Sequence, residues 1–232
     1  MNDLGNVRTL CTSTKCYAKS DLVRFMKNNR ILFLPEAVLR QIAKELLLAA
    51  EYLHKKGLVH RNIKLEHIIV RKFRGLFDDI SSISILLSGF GDVVFWKEGD
   101  EELTEPVGHP LYMAPEMREG MSLLKSIHSP GHYTNKVDIW NIGVILYALV
   151  TRRFPYITKY SDTVQYDYSI PLSFSFGEHS YISSDFLNFI SSLLTVDEKT
   201  RPSASEALQH PFLRSYIVVP VISFSPLLFV GL

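Results

Sequence analysis

The clearest pattern in the chain is a helical stripe that begins at Pro35-Glu36. Val38, Ile42, Leu46 and Ala50, joined by Leu39, Ala43 and Leu53, recur three and four residues apart. That spacing lines one face of a helix. Proline suits the first helical position and glutamate the positive end of the helix dipole. Lys55-Lys56-Gly57 closes the segment with cations and a C-cap glycine. Asp138–Thr151 reads differently, because Ile139-Trp140-Asn141-Ile142-Gly143-Val144-Ile145-Leu146-Tyr147 and Ala148-Leu149-Val150 are apolar nearly all round. Such a helix is buried on every side, and it is too short for a convincing membrane span. Ser183–Leu194 and Ser203–Gln209 predict two more amphipathic helices. Leu58–His60, Ile68–Val70 and Ile83–Leu87 are apolar runs that suit small buried strands. Residues 6–14 predict one further strand, and Arg71–Ser82 reads as a polar, exposed insertion. The sum is one mainly α domain of the α+β class, with a few short strands.

Composition adds bounds rather than chemistry. A chain of 232 residues that is 47% hydrophobic is enough for one sizeable core. Lys and Arg total 25 and Asp and Glu total 24, so nothing points to nucleic acid or to an acidic partner. The two cysteines, Cys11 and Cys16, cannot close a structural zinc site alone. Free thiols in a reducing compartment are expected, and no signal peptide is read at the start, which implies a cytoplasmic location. Tyr216–Leu232 carries no charge, is short for a span and is broken by Pro220 and Pro226. A membrane anchor is therefore not the preferred reading of this tail. An altered chain end that packs on the domain or aggregates is.

The chemistry concentrates in Val59-His60-Arg61-Asn62-Ile63-Lys64-Leu65-Glu66-His67-Ile68-Ile69-Val70. Three other stretches follow it in order: Leu87-Ser88-Gly89-Phe90-Gly91, Tyr112-Met113-Ala114-Pro115-Glu116-Met117, and the pair Asp138-Ile139-Trp140-Asn141-Ile142-Gly143 with Arg201-Pro202-Ser203-Ala204. Together they resemble the large lobe of a eukaryotic protein kinase over residues 31–214, with the loop in the frame H-R-D-L-x-x-x-N, then D-F-G and A-P-E. The resemblance implies a protein-kinase-like fold: a C-terminal lobe with only a remnant of the N-terminal lobe. No glycine-rich loop or V-A-I-K-like lysine is read upstream. The implied partition is a small-lobe and hinge remnant at 1–30, the lobe at 31–214 and an apolar tail at 215–232.

The resemblance also implies roles. His60 and Arg61 support the loop, Asp138 accepts hydrogen bonds from its backbone, and Glu116 and Arg201 form a buried ion pair. The departures fall on phosphoryl transfer. Asn62 stands where the family has its base, and an amide has no useful basicity. His67 and Gly89 stand where it has its two metal ligands, and Gly89 has no side chain to ligate magnesium. Lys64, which contacts the transferred phosphate in the family, is kept. His67 alone reads either as a soft metal ligand or as a packed histidine, with the second favoured. His109 replaces a threonine that steadies the loop. Asp92 is expected to point from the wrong side of the Phe-Gly turn, and so not to replace the lost ligand.

Histidine at the metal position and Leu87-Ser88-Gly89 resemble the Sterile-20-related adaptors (STRAD), a family of pseudokinases. This implies a catalytically inactive adaptor or allosteric activator whose partner is an active protein kinase. No cofactor is then expected: ATP binding is weak or absent and there is no magnesium site. In the family, the arginine of the loop pairs with a phosphorylated residue of the activation segment. Here Arg61 faces Asp100-Glu101-Glu102-Leu103-Thr104-Glu105, so Glu105 or Glu102 supplies a permanent charge, or the run is a solvated acidic loop. The competing readings are a serine/threonine kinase domain with ATP binding and an unusual loop, and a truncated product.

Overall fold

The computed structural model describes residues 20–76, 79–119, 131–159, 165–174 and 182–214. The strand expected at 6–14 and the tail at 216–232 lie outside the described residues.

Helix α1 (Leu22–Asn28) comes first, capped by Asp21, whose carboxylate accepts the Arg24 N–H at 2.8 Å. A seven-residue helix is too short for its period to stand out in sequence, but Leu22, Phe25 and Met26 are all buried. Helix α2 (Glu36–Lys55) follows the predicted stripe, with Val38, Leu39, Ile42, Ala43, Leu46 and Ala50 inside. Gly57 just beyond it has φ +69°, and a Cβ there would lie 2.7 Å from the Lys97 side chain. The left-handed backbone is what favours glycine, since the flexible Lys97 side chain can move aside.

Helices α3 (Pro115–Glu119) and α4 (Lys136–Thr151) complete the centre. Every residue of α4 from Val137 to Thr151 is buried. Its polar members are there because they hold other segments. Asn141 accepts from the Ile63 N–H at 3.2 Å and donates to the Tyr112 carbonyl at 2.6 Å. A buried amide with both ends paired costs little and fixes two loops at once. Helices α5 (Ser184–Leu193), α6 (Ala204–Ala207) and α7 (Pro211–Arg214) pack behind. Ser203 and Glu206 form a capping box on α6. The rings of Phe186 and Phe189 stack on Phe212 at 4.6 and 5.2 Å.

Strands β1 (Leu58–Val59), β2 (Ile68–Leu76), β3 (Asp79–Leu87), β4 (Val94–Phe95), β5 (Ile157–Lys159) and β6 (Gln165–Tyr166) form three antiparallel pairs: β1 with β4, β2 with β3, and β5 with β6. The expected insertion at Arg71–Ser82 is corrected here. Both strands run on through most of it, pairing Lys72 with Ser84, Phe73 with Ile83 and Arg74 with Ser82. Two tertiary contacts explain the extension. The Phe73 ring packs edge-on against Phe25 at 4.8 Å. On the other edge, Gln41 and Glu45 of α2 accept the Ile83 and Ile85 N–H groups at 3.1 and 2.7 Å, closing a sheet edge that would otherwise be open. Burial pushes the Glu45 carboxyl up, and the Ile85 N–H offsets part of that rise. No helix among the described residues is long and apolar enough to cross a membrane.

Candidate functional site

The loop between β1 and β2 is organised by one carboxylate. Asp138 is fully buried and accepts the His60 N–H at 2.9 Å, the Arg61 N–H at 2.8 Å and the His54 ring nitrogen at 2.9 Å. Burial alone would raise its pKa. The His54 and backbone bonds overcome that and hold it below the ordinary carboxylate range. The loop turns at Arg61, which has φ +65°, a left-handed strain that Asp138 offsets by gripping the amides of His60 and Arg61.

His60 is the second anchor. Its Nδ1 accepts the Asn62 N–H at 3.3 Å, and its Nε2 lies 3.0 Å from the Ser88 carbonyl, an arrangement that fits the neutral imidazole. Its ring packs on Phe90 at 5.1 Å. Burial pushes its pKa below the ordinary value, with Asp138 opposing. A histidine depressed in the folded state stays neutral there while the unfolded chain takes up a proton near pH ~6.5. Its stabilising contribution is therefore complete above that pH and is lost as pH falls toward the folded value. Urea midpoints should fall between pH 7 and mildly acid pH, and His60→Gln should shrink that slope. It should not abolish the slope, because burial also lowers His109 and His210.

Positions 67 and 89 behave as a pair. Gly89 has φ +83°, and a Cβ built on it would lie 2.3 Å from His67 Nδ1. That nitrogen is 2.8 Å from the Asn62 carbonyl, so the imidazole is tethered in the space a side chain at 89 would take. Magnesium takes oxygen ligands in near-octahedral geometry. An imidazole over a glycine does not fit it. No group of three or more His, Cys, Asp or Glu able to hold a metal occurs among the described residues. Gly89→Asp alone should destabilise the fold, and His67→Asn should relieve much of that loss. The double-mutant cycle, read by urea unfolding, should give a coupling of about 0.5–3 kcal/mol. Simple additivity would show that the two sites do not compete for space.

Asp92 corrects the sequence reading. The 3-10 turn Phe90–Asp92, entered through left-handed Gly89, swings its carboxylate back over the loop. Asp92 Oδ2 accepts from Asn62 Nδ2 at 2.7 Å, and the Asp92 carbonyl accepts from Arg61 Nε at 2.6 Å. The other amide atom, Asn62 Oδ1, is buried with no hydrogen-bond partner. The loop therefore holds a carboxylate directly against Asn62. Sequence missed this because Asp92 lies outside the loop motif, and the sense of a turn is not written in its residue types.

The activation segment is held mainly by Tyr133. Leu103 and Tyr133 exchange backbone hydrogen bonds at 3.0 and 2.9 Å, and the Tyr133 hydroxyl donates to the Glu105 carbonyl. Arg61 reaches Glu105 at 3.4 Å and Tyr133 at 3.3 Å. Glu102 instead sits 3.5 Å from His132, and Thr104 is exposed. His109 accepts the Leu111 N–H at 3.2 Å through Nδ1. Far from the loop, Arg201 makes a two-point pair with Glu116 at 2.6 and 3.0 Å. Lys64 caps the turn Leu65–His67 and is half-buried.

A loop gripped by a buried aspartate on a central helix, an adjoining turn and a two-point Arg–Glu pair fit a protein kinase domain. The family model of the protein kinase domain matches residues 7–213, and the chain belongs to that family. It is similar to the probable serine/threonine-protein kinase CCRP1 of Zea mays, with 29% identity over 94% of this chain and 31% of that protein. It is similar also to serine/threonine-protein kinase shk1/pak1 of Schizosaccharomyces pombe, 32% identical over 84% of this chain and 26% of that protein. Serine/threonine-protein kinase 36 of Mus musculus is 30% identical over 88% of this chain and 14% of its own length. The chain thus spans a third or less of these relatives. The expectation that the chain is not an enzyme, drawn from Asn62, His67 and Gly89, is corrected by these matches: the family and the kinases named in it point to an enzyme.

Proposed function

We propose that this chain is the large lobe of a serine/threonine protein kinase domain, which transfers the γ-phosphoryl group of a nucleoside triphosphate to a serine or threonine hydroxyl. The observation that carries the reading is the 2.7 Å contact of Asp92 with Asn62. It supplies a proton acceptor beside the position from which the family's base acts. In the step, the hydroxyl oxygen bonds to the γ-phosphorus and the bond from phosphorus to the β–γ bridging oxygen breaks. Nucleoside diphosphate leaves with that electron pair, and the hydroxyl proton passes to the Asp92 carboxylate. Lys64 would meet the transferred phosphate. No step is routed through a metal, because the groups at 67 and 89 do not fit magnesium. The test is transfer of label from γ-labelled ATP to a serine-containing protein by the purified full chain. Incorporation that Lys64→Ala reduces supports the reading, and no incorporation from ATP under any condition overturns it.

A second reading concerns partners. The Sterile-20-related resemblance implies that the lobe docks on and activates another, active protein kinase. The contact of Arg61 with Glu105 favours it, since it engages the loop arginine without a phosphate. Glu105 is 73% exposed, so the pair itself contributes only about 0–1 kcal/mol. Glu105→Lys should expose residues 100–106 to protease and weaken capture of the partner kinase, while Lys97→Glu should do neither. Equal behaviour of the two variants would reduce the acidic run to a solvated loop.

A further inference from the structure

A groove of about 580 Å³ lies between α1, the turn after it, the end of α4 and Leu65 of the catalytic loop. Its floor is apolar, with Met26, Ile31, Leu65, Ala148 and Leu149. Leu32 on its rim is 70% exposed and Val23 42%, a high exposure for aliphatic side chains that adjoin each other across a concavity. The remaining lining residues, Lys27, Arg30 and Arg152, are all cations and all exposed. Among the described residues, no acidic side chain lines the groove.

Of these cations, Arg152 is held in place. Arg30 and Arg152 both adopt positive φ, +54° and +59°, just past the ends of α1 and α4. The Arg152 guanidinium donates to the Ile31 carbonyl at 3.5 Å and lies over the Phe33 ring at 5.3 Å. Cations are favoured at helix C-termini in any protein. That preference does not account for the open apolar floor they enclose.

We propose that this groove binds the segment of a protein substrate that flanks the phosphorylated serine or threonine, and that the segment recognised is a bulky apolar side chain flanked by aspartate or glutamate. The inference rests on the phosphotransfer reading above and names the substrate class of that site. Apolar floor and cationic rim select such a peptide by burial and by charge together. Leu65 follows Lys64 directly, so a peptide seated in the groove runs toward the loop where transfer occurs. A basic peptide meets three like charges and, among the described residues, no counter-charge in the groove.

The experiment is fluorescence anisotropy with the full chain and short labelled serine peptides, which needs no phosphotransfer. The first peptide carries leucines flanked by glutamates, the second replaces the glutamates by lysines, and the third replaces the leucines by alanines. The first should bind, and raising salt should weaken it. The other two should bind at least about tenfold more weakly, a difference of ~1.4 kcal/mol. Lys27→Glu with Arg30→Glu should invert the preference between the first two peptides, with an unchanged melting temperature as the check on folding. Equal binding of all three peptides, or a preference that the charge reversal leaves intact, overturns the proposal. Binding of the first peptide with no transfer to its serine would retain the groove and remove the phosphotransfer reading.

Discussion

Arg201→Ala is expected to remove about 3–5 kcal/mol of folding stability, because it breaks a buried pair and leaves the Glu116 carboxylate without its cation. The Arg201 side chain has no solvent exposure and Glu116 only 13%, so water cannot replace what is lost. The guanidinium also donates to the carbonyls of Thr195, Lys136 and Val196 at 2.9, 3.2 and 3.3 Å. It lies over the Trp140 ring at 5.0 Å. One side chain therefore ties the A-P-E segment, the start of α4 and the turn after α5. Lysine cannot reproduce a planar two-point donor, so Arg201→Lys should recover only part of the loss. Removing both charges should cost less than removing one: Arg201→Met with Glu116→Leu should be more stable than Arg201→Met alone. Urea unfolding measures all four. A loss for Arg201→Ala under ~1 kcal/mol would show that the pair is replaceable by water.

Asp92→Asn should lower phosphotransfer by about 10²–10⁴-fold, the usual worth of a general base. The substitution keeps shape, and an asparagine oxygen at 92 can still accept from Asn62 Nδ2, so loop geometry and stability should hold. Two readouts separate a proton acceptor from a structural prop. Asp92→Glu should retain part of the activity. In the Asp92→Asn background, Asn62→Asp should restore transfer, because it returns a carboxylate to the neighbouring position. A rate for Asp92→Asn equal to that of the unaltered chain would exclude Asp92 as the base without touching the family assignment.

Much of the lobe was legible because its signals are local or periodic. The stripe from Val38 to Leu53 specifies α2, since a helix that must bury one face repeats its apolar residues at the helical period. The all-apolar run in α4 announces burial on every side. Asp138 and Asn141 inside that run stand out because a buried polar group requires partners. The seven residues of α1 carry too few turns to register a period. The hairpin through Arg71–Ser82 has a polar composition, and its strands persist because Phe25, Gln41 and Glu45 meet them from elsewhere in the chain.

Residue types and spacing were enough to identify a protein kinase domain and to mark Asn62, His67 and Gly89 as departures from the family's pattern. Those are statements about residue types and spacing, which a linear string contains in full. The surroundings of these departures came from the fold. It placed the His67 ring in the space over Gly89, so the two changes are one steric event. It also carried Asp92 to Asn62 across 30 residues of chain. The reason is that a side chain's chemistry depends on which atoms lie within hydrogen-bond reach, and the left-handed turn at Gly89 that sets those distances is fixed by packing rather than by neighbours in sequence.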